Sequence, residues 1–199
     1  MKKITGNYFN KYDSSNPLVK FVMSRYFSTL SSFIEDIEIE SILDLGCGEG
    51  HIIKFLEDKL DTFYLKGYDI DKKLIDELNN HYKKYDFEVS FLDSDFKEEG
   101  SYDLTLLLEV LEHIKDYKKV LSNLKKINTK HLIISVPNEP FFRLANISRL
   151  KYLKRLGNTP GHVNNFTYFY FKKLIKKNFP NSDISFKTCY IWNFAFIKK

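Results

Sequence analysis

Cysteine is nearly absent: Cys47 and Cys189 are the only two in 199 residues. Two thiols make no disulfide framework and do not suffice for a thiolate metal site. No apolar run approaches the roughly 20 residues that a membrane-spanning helix needs, so no membrane partner is expected. Met1 to Asn7 leads into no apolar signal segment, and a cytoplasmic location is the expectation. Internal repeats, low-complexity tracts and a second domain are also missing. Extreme charge is lacking too. With 31 basic and 26 acidic residues the formal charge is +5, which permits an acidic partner without demanding one. The remaining composition, 43% hydrophobic and 29% charged, suits one folded domain over residues 1–199, long enough for a full core.

Glycine is sparse as well, with eight in all, yet three stand at alternate positions in Asp44-Leu45-Gly46-Cys47-Gly48-Glu49-Gly50. The apolar run Ile42-Leu43 precedes them, and Ile52, Ile53, Phe55 and Leu56 follow at helical spacing. The pattern predicts a strand, a tight turn and a helix N-terminus. Gly46 and Gly48 lack the Cβ atoms that would hold a ligand off the backbone. A dinucleotide fingerprint, G-x-G-x-x-G, seats a pyrophosphate on such a turn. Here the third glycine comes one residue early, and Asp44 stands in the approach. An acid there repels a pyrophosphate and suits a cationic ligand. The string resembles the first motif of the class I S-adenosylmethionine (SAM) methyltransferases, apolar-Asp-apolar-Gly-x-Gly-x-Gly. That resemblance implies SAM as cofactor, held around Asp44, Gly46, Cys47, Gly48 and Gly50.

Alternating strand and helix patterns run along the rest of the chain. Asn16 can cap a first helix, with Pro17 in its first turn and an apolar stripe from Val19 to Ile34. Residues 1–40 form an N-terminal cap in this reading, and Tyr8, Phe9 and Tyr12 lie where related enzymes close over the ligand. Strands are expected at Phe63–Ile70, Phe87–Leu92 (Phe87, Val89 and Phe91 on one face), Tyr102–Leu108 and His131–Val136. Helices are expected at Asp71–Lys84 and Lys115–Lys126, with another capped by Thr167 and ended by Pro180. Two strand candidates without an intervening helix occupy Ser182–Ile197. The order predicts an α/β fold: a Rossmann-like, doubly wound, seven-stranded, mostly parallel sheet with a C-terminal antiparallel hairpin. Residues 138–166 are an unusually long connection after the fifth strand, read as a lid over the methyl acceptor.

Ligands of open parallel sheets bind at the carboxyl ends of the strands. By resemblance, Asp69 at the end of the second strand accepts the ribose hydroxyls, and Ile70 lies against adenine. Asp95, with Phe96 beside it, resembles the family acid that meets the adenine amino group; Asp93 competes for that role. Glu109 begins Glu-Val-Leu-Glu-His after the fourth strand, a string whose first Glu lies beside the cofactor in many family members. The same acids also suit a helix start.

On the acceptor side, Glu139 to Gly161 holds five basic residues and one acid, a net +4. This fits an anionic acceptor, and it fits a solvated charged helix as well. His162, in Gly161-His162-Val163-Asn164-Asn165-Phe166-Thr167, is the candidate general base because an imidazole titrates near neutrality. It serves equally as a local backbone cap. His113 is the second catalytic candidate, in a supporting role. Glu109, Glu112, His113 and His162 also resemble the divalent-metal ligands of small-RNA 3′-terminal 2′-O-methyltransferases. The leading expectation is methyl transfer from SAM to oxygen, or next to nitrogen, of a small molecule, as in the ubiquinone-type O-methyltransferases. The alternatives are the metal-dependent RNA enzyme and a non-catalytic SAM- or RNA-binding protein. A monomer and a homodimer are both compatible with the sequence.

Overall fold

The computed structural model describes residues 15–92 and 95–199; Tyr8, Phe9, Tyr12 and Asp93 lie outside them. Seven strands form one sheet in the order β3-β2-β1-β4-β5-β7-β6. They are β1 (Ser41–Leu45), β2 (Tyr64–Asp69), β3 (Asp86–Val89), β4 (Ser101–Leu108), β5 (Asn128–Pro137), β6 (Asp183–Cys189) and β7 (Trp192–Lys198). Neighbours from β3 to β5 pair in parallel, and β7 pairs antiparallel with both β5 and β6. The predicted sheet and closing hairpin are therefore present.

The helices are α1 (Pro17–Ile34), α2 (His51–Glu57), α3 (Lys72–His81), α4 (Tyr117–Leu124), α5 (Phe141–Ser148) and α6 (Tyr168–Asn178). Short 3-10 turns occupy Leu111–His113 and Leu153–Arg155. Side chains on successive strand residues point to opposite faces, so the sheet has a core on each side. Ile42, Leu104 and Leu106 pack with α1, α2 and α3 on one face; Leu43, Leu45 and Leu107 pack with α4 and α6 on the other. This two-sided burial explains why β4 reads as a nearly unbroken apolar run. Each fully buried leucine contributes roughly 2 kcal/mol.

Caps fix where the helices start. The Asn16 side chain accepts from the Leu18 N–H at 2.9 Å, Asp71 accepts from Lys73 at 2.9 Å, and Thr167 accepts from Tyr170 at 3.3 Å. α6 stops at Asn178, two residues before Pro180, because proline cannot donate to the helical ladder. The expected face of Phe87, Val89 and Phe91 is not formed as read. Phe87 is buried, but the strand ends at Val89, and both Val89 and Phe91 are exposed at the sheet edge. An edge strand with one neighbour has less to pack against than its alternation suggests. Among the described residues, no helix is long and apolar enough to cross a membrane.

Candidate active site

The strand order reverses at β1, which lies between β2 and β4, so their carboxyl ends open a crevice there. The turn after β1 holds Gly46, Gly48 and Gly50 at φ +85°, +53° and +74°. Two of these glycines answer to packing. A Cβ on Gly46 would come within 2.4 Å of Val110 Cγ2, and one on Gly50 within 2.5 Å of Leu78 Cδ2. A Cβ on Gly48 would meet nothing within 4 Å, because that position faces open space. Gly48 is thus the glycine that bares backbone toward the crevice, and Gly46 makes room for the Val110 wall.

Hydrogen bonds lock this turn to β2. The Tyr68 carbonyl accepts from the Gly46 N–H at 2.7 Å and the Cys47 N–H at 3.0 Å. The Gly48 N–H donates to Asp69 Oδ2 at 2.9 Å, and the Asp71 N–H donates to Asp69 Oδ1 at 2.9 Å. Each carboxylate oxygen retains acceptor capacity for a ligand hydroxyl. The Cys47 side chain turns into the core, and burial pushes its thiol pKa far up, with Asp44 and Asp69 adding to the shift. Its carbonyl also accepts from the Gly50 N–H at 3.0 Å. Cys47 therefore packs behind the turn as an unreactive thiol.

Asp44 is 2% exposed, and its Oδ2 has no hydrogen-bond partner. Burial, and secondly Asp69, push its carboxyl up to about 7. An unsatisfied buried carboxyl is costly, and a ligand ammonium placed against it removes that cost. Asp44, the space at Gly48 and the part-used Asp69 carboxylate together fit a nucleoside bearing a cationic amino acid. Ile70 is half-buried directly after Asp69. Phe96 packs edge-on against Tyr68 at 5.3 Å, while Asp95 is exposed beyond β3.

Glu109 follows β4 at φ +58° and donates its N–H to the Ser135 carbonyl at 3.0 Å. A left-handed non-glycine residue costs about 1 kcal/mol or more and is held only by its surroundings. Here β5 supplies the hold, and the Ser135 hydroxyl meets the Tyr26 hydroxyl of α1 at 2.9 Å. Beyond Glu109 lies a cavity of about 430 Å³, walled by α1, α5 and the β6–β7 turn. Glu109, Glu112, His113 and His162 line it together. The His162 ring lies 4.9 Å from His113 and 5.5 Å from Phe142. Ligand-capable atoms of Glu112, His113 and His162 all lie within 4.8 Å of one another; Glu109, the fourth residue expected there, is not in that group.

Sequence reasoning missed the asparagines that hold His162 in place. Asn164 Nδ2 donates to the carbonyls of Leu111 (3.1 Å) and Ile114 (2.7 Å), and the Glu112 carbonyl accepts from the N–H groups of Val163 (2.9 Å) and Asn164 (3.1 Å). Buried Asn146 on α5 donates to the Gly157 carbonyl at 2.9 Å and to Thr159 Oγ1 at 3.2 Å, tying the long connection to itself. The only local signal was an Asn-Asn pair near a histidine, and its partners are some 50 residues away.

Comparison with known proteins bears on the same crevice. The chain is 25% identical to the ubiquinone biosynthesis O-methyltransferase of Rickettsia felis over 199 aligned residues, covering 94% of this chain and 78% of that protein. In fold it resembles the plantazolicin methyltransferase BpumL, solved with a monoazolic desmethylPZN analog and SAH (TM-score 0.73, 17% identity, 96% of this chain and 87% of that one). It also resembles the methyltransferase domain of bacterial-CtHen1-CN (TM-score 0.72, 16% identity, 89% and 100%). The Methyltransferase domain family matches residues 19–178. The strands and turn that carry the glycine cradle all fall inside that match, and the chain accordingly belongs to this family, as a class I SAM-dependent methyltransferase.

Proposed function

We propose that the chain methylates an oxygen of a small, largely apolar acceptor. The carrying observation is the cavity itself: a mainly apolar space lined by Glu109, which directly follows β4, and by His113 and His162. SAM, when bound, supplies a methyl group activated on a sulfonium. In this reading Asp44 holds the ligand ammonium, Asp69 the ribose hydroxyls, the backbone at Gly48 the nearest approach, and Glu109 the rim. Ile70 and Phe96 offer apolar surface for the base, with Asp95 as the candidate acid. The chain's own work is to align the acceptor and exclude water. Segment 138–166 acts as the lid that does so. His162 takes the acceptor hydroxyl proton, and Phe142 and His113 steady its ring. Incubation with methyl-labelled SAM and a panel of phenols and amines tests this reading. Label in an ether supports it, and label confined to amines refutes the oxygen assignment.

A second reading rests on the proximity of Glu112, His113 and His162. Two imidazoles and a carboxylate suit a divalent ion that would orient adjacent hydroxyls, as on a terminal ribose. Under it His162 is a ligand and cannot serve as base. Metal analysis of purified protein, with turnover measured under a chelator, separates the two: unchanged turnover in metal-free protein leaves His162 as the base.

A further inference from the structure

One crossover of the sheet lacks a helix. The strand order β3-β2-β1-β4 makes residues 90–100 pass β2 and β1 on the way from β3 to β4. Parallel crossovers usually carry an α-helix, and α2, α3 and α4 fill the other three. Of this connection, residues 90–92 and 95–100 carry none. Leu92 and Phe96 pack on the sheet face that a helix would cover. Glu98, two residues after Phe96 and three after Asp95, puts a carboxylate there with its side chain only 5% exposed.

Both oxygens of Glu98 are engaged. The Tyr68 hydroxyl donates to Oε2 at 2.6 Å, and the Gly100 N–H donates to Oε1 at 2.8 Å. Lys66 Nζ lies 3.5 Å from Oε2, and the Tyr102 hydroxyl bonds to the same carboxylate. Burial pushes the carboxyl pKa up, but Tyr68, Gly100, Lys66 and Tyr102 outweigh it and hold the group below its ordinary value. The side chain is thus an ionised acceptor, and bonds to such an acceptor are roughly twice as strong as neutral ones. A leucine would fill the same space at less cost, because burying charge is expensive. What the carboxylate adds is direction: donors from β2 and β4 fix where the loop lies. Tyr68 is the other half of this clamp. Its carbonyl holds the Gly46 and Cys47 N–H groups of the glycine turn, its hydroxyl holds Glu98, and its ring meets Phe96 edge-on at 5.3 Å. The glycine turn and the 95–100 loop are thereby registered to one residue.

We infer that Tyr68 and Glu98 are positioning residues for the base of the cofactor: their bond sets Phe96 and Asp95 in register with the glycine turn, so that adenine is preferred over a base lacking its amino group. This rests on the reading of Phe96 and Asp95 as the base-facing residues. A carboxylate at Asp95 accepts from the adenine amino group and is repelled by a carbonyl oxygen at the same place. That discrimination exists only while the loop holds the acid at hydrogen-bond distance, because the interaction weakens steeply away from good geometry.

Calorimetry with S-adenosylhomocysteine and with its deaminated analogue, whose base has a carbonyl in place of the amino group, tests the inference. The unmodified protein should prefer the adenine form by about tenfold or more. Tyr68→Phe keeps the backbone carbonyl and the ring and removes only the hydroxyl; it should cut that preference to about twofold or less. Glu98→Gln should act in the same direction. Affinity for the deaminated analogue should hold within about twofold, whereas general loosening of the fold would weaken both ligands alike. Tyr64→Phe is the control, since the Tyr64 hydroxyl donates to Asp86 Oδ2 at 2.9 Å on the same strand pair, and it should change nothing. Hydrogen exchange of the unliganded protein reads the loop directly: Tyr68→Phe should speed exchange of the Gly100 N–H by about tenfold. Equal weakening of both ligands, a preference that survives Tyr68→Phe, or the same loss in Tyr64→Phe overturns the clamp. If the unmodified protein does not distinguish the two bases, absence of binding by both included, the base-facing reading of Asp95 falls and the inference falls with it. Unchanged exchange at Gly100 strikes the clamp alone.

Discussion

The cofactor cradle and the proposed lid meet at the same crevice and are built from different materials. In the cradle, backbone N–H groups of Gly46, Cys47 and Gly48 end on the Tyr68 carbonyl and the Asp69 carboxylate, and the walls are core residues. In the lid, side-chain amides such as Asn146 do the tying, Leu150 and Leu156 stand exposed, and Leu150, Tyr152 and Leu156 take positive φ without being glycine. A backbone-built site tolerates few residue types, because glycine, φ and strand register set it. A side-chain-built site can be retuned one residue at a time. Under the proposed function, cofactor geometry and acceptor choice are therefore controlled by separate parts of the chain.

The largest test of that separation is His162→Gln. It should lower turnover by about 10² to 10⁴-fold, the usual range for losing a general base. Calorimetry should find affinity for S-adenosylhomocysteine unchanged; weakened binding would mean the two halves share His162. Next comes Gly46→Ala, which combines a left-handed φ with a clash on Val110 and should cost roughly 2–3 kcal/mol in denaturant unfolding. Adding Val110→Ala should recover the clash and leave the φ penalty. Full recovery would show that packing alone demands the glycine.

Asp44 gives a pH signature. Its folded pKa, about 7, lies above the unfolded value for an aspartate near 4. The folded, unliganded protein therefore binds the extra proton, and its stability falls as pH rises between those values. A cationic ligand selects the ionised form, so affinity for S-adenosylhomocysteine should drop up to about tenfold for each pH unit below 7 and level off above it. Asp44→Asn should flatten both profiles. A parallel slope in the variant would assign the titration elsewhere. The smallest effect expected is that of Asn146→Ala, about 1–2 kcal/mol of stability from three lost side-chain bonds, to Gly157, Thr159 and Arg149. It should also raise the acceptor KM severalfold while cofactor affinity holds; an equal loss at both sites would tie the lid to the cradle.

The cradle was readable because its signals are local. Asp44 to Gly50, the cap at Asp71 and the apolar run of β4 each state their structure within a few residues. Boundaries moved by one to three positions where tertiary pairing extended or cut a strand: β5 begins at Asn128 rather than His131 because it pairs with β4 from Ser101 onward. The lid was legible only as a long basic connection. Its helix α5 is tied to the chain 11 to 13 residues on through Asn146, and its tie through Asn164 to the carbonyls of Leu111 and Ile114 spans 50 residues or more.

Sequence alone determined the order of strands and helices, the glycine turn with its acid, and the residue types offered to the cofactor, since φ preference, periodicity and capping act over a few neighbours. Tertiary structure decided that a Cβ at Gly48 would meet open space where one at Gly46 would strike Val110, that Asp44 sits buried with an oxygen unsatisfied, and that Glu112, His113 and His162 come together in the lining of one cavity. Those facts are distances between segments remote in the chain, and only packing sets them.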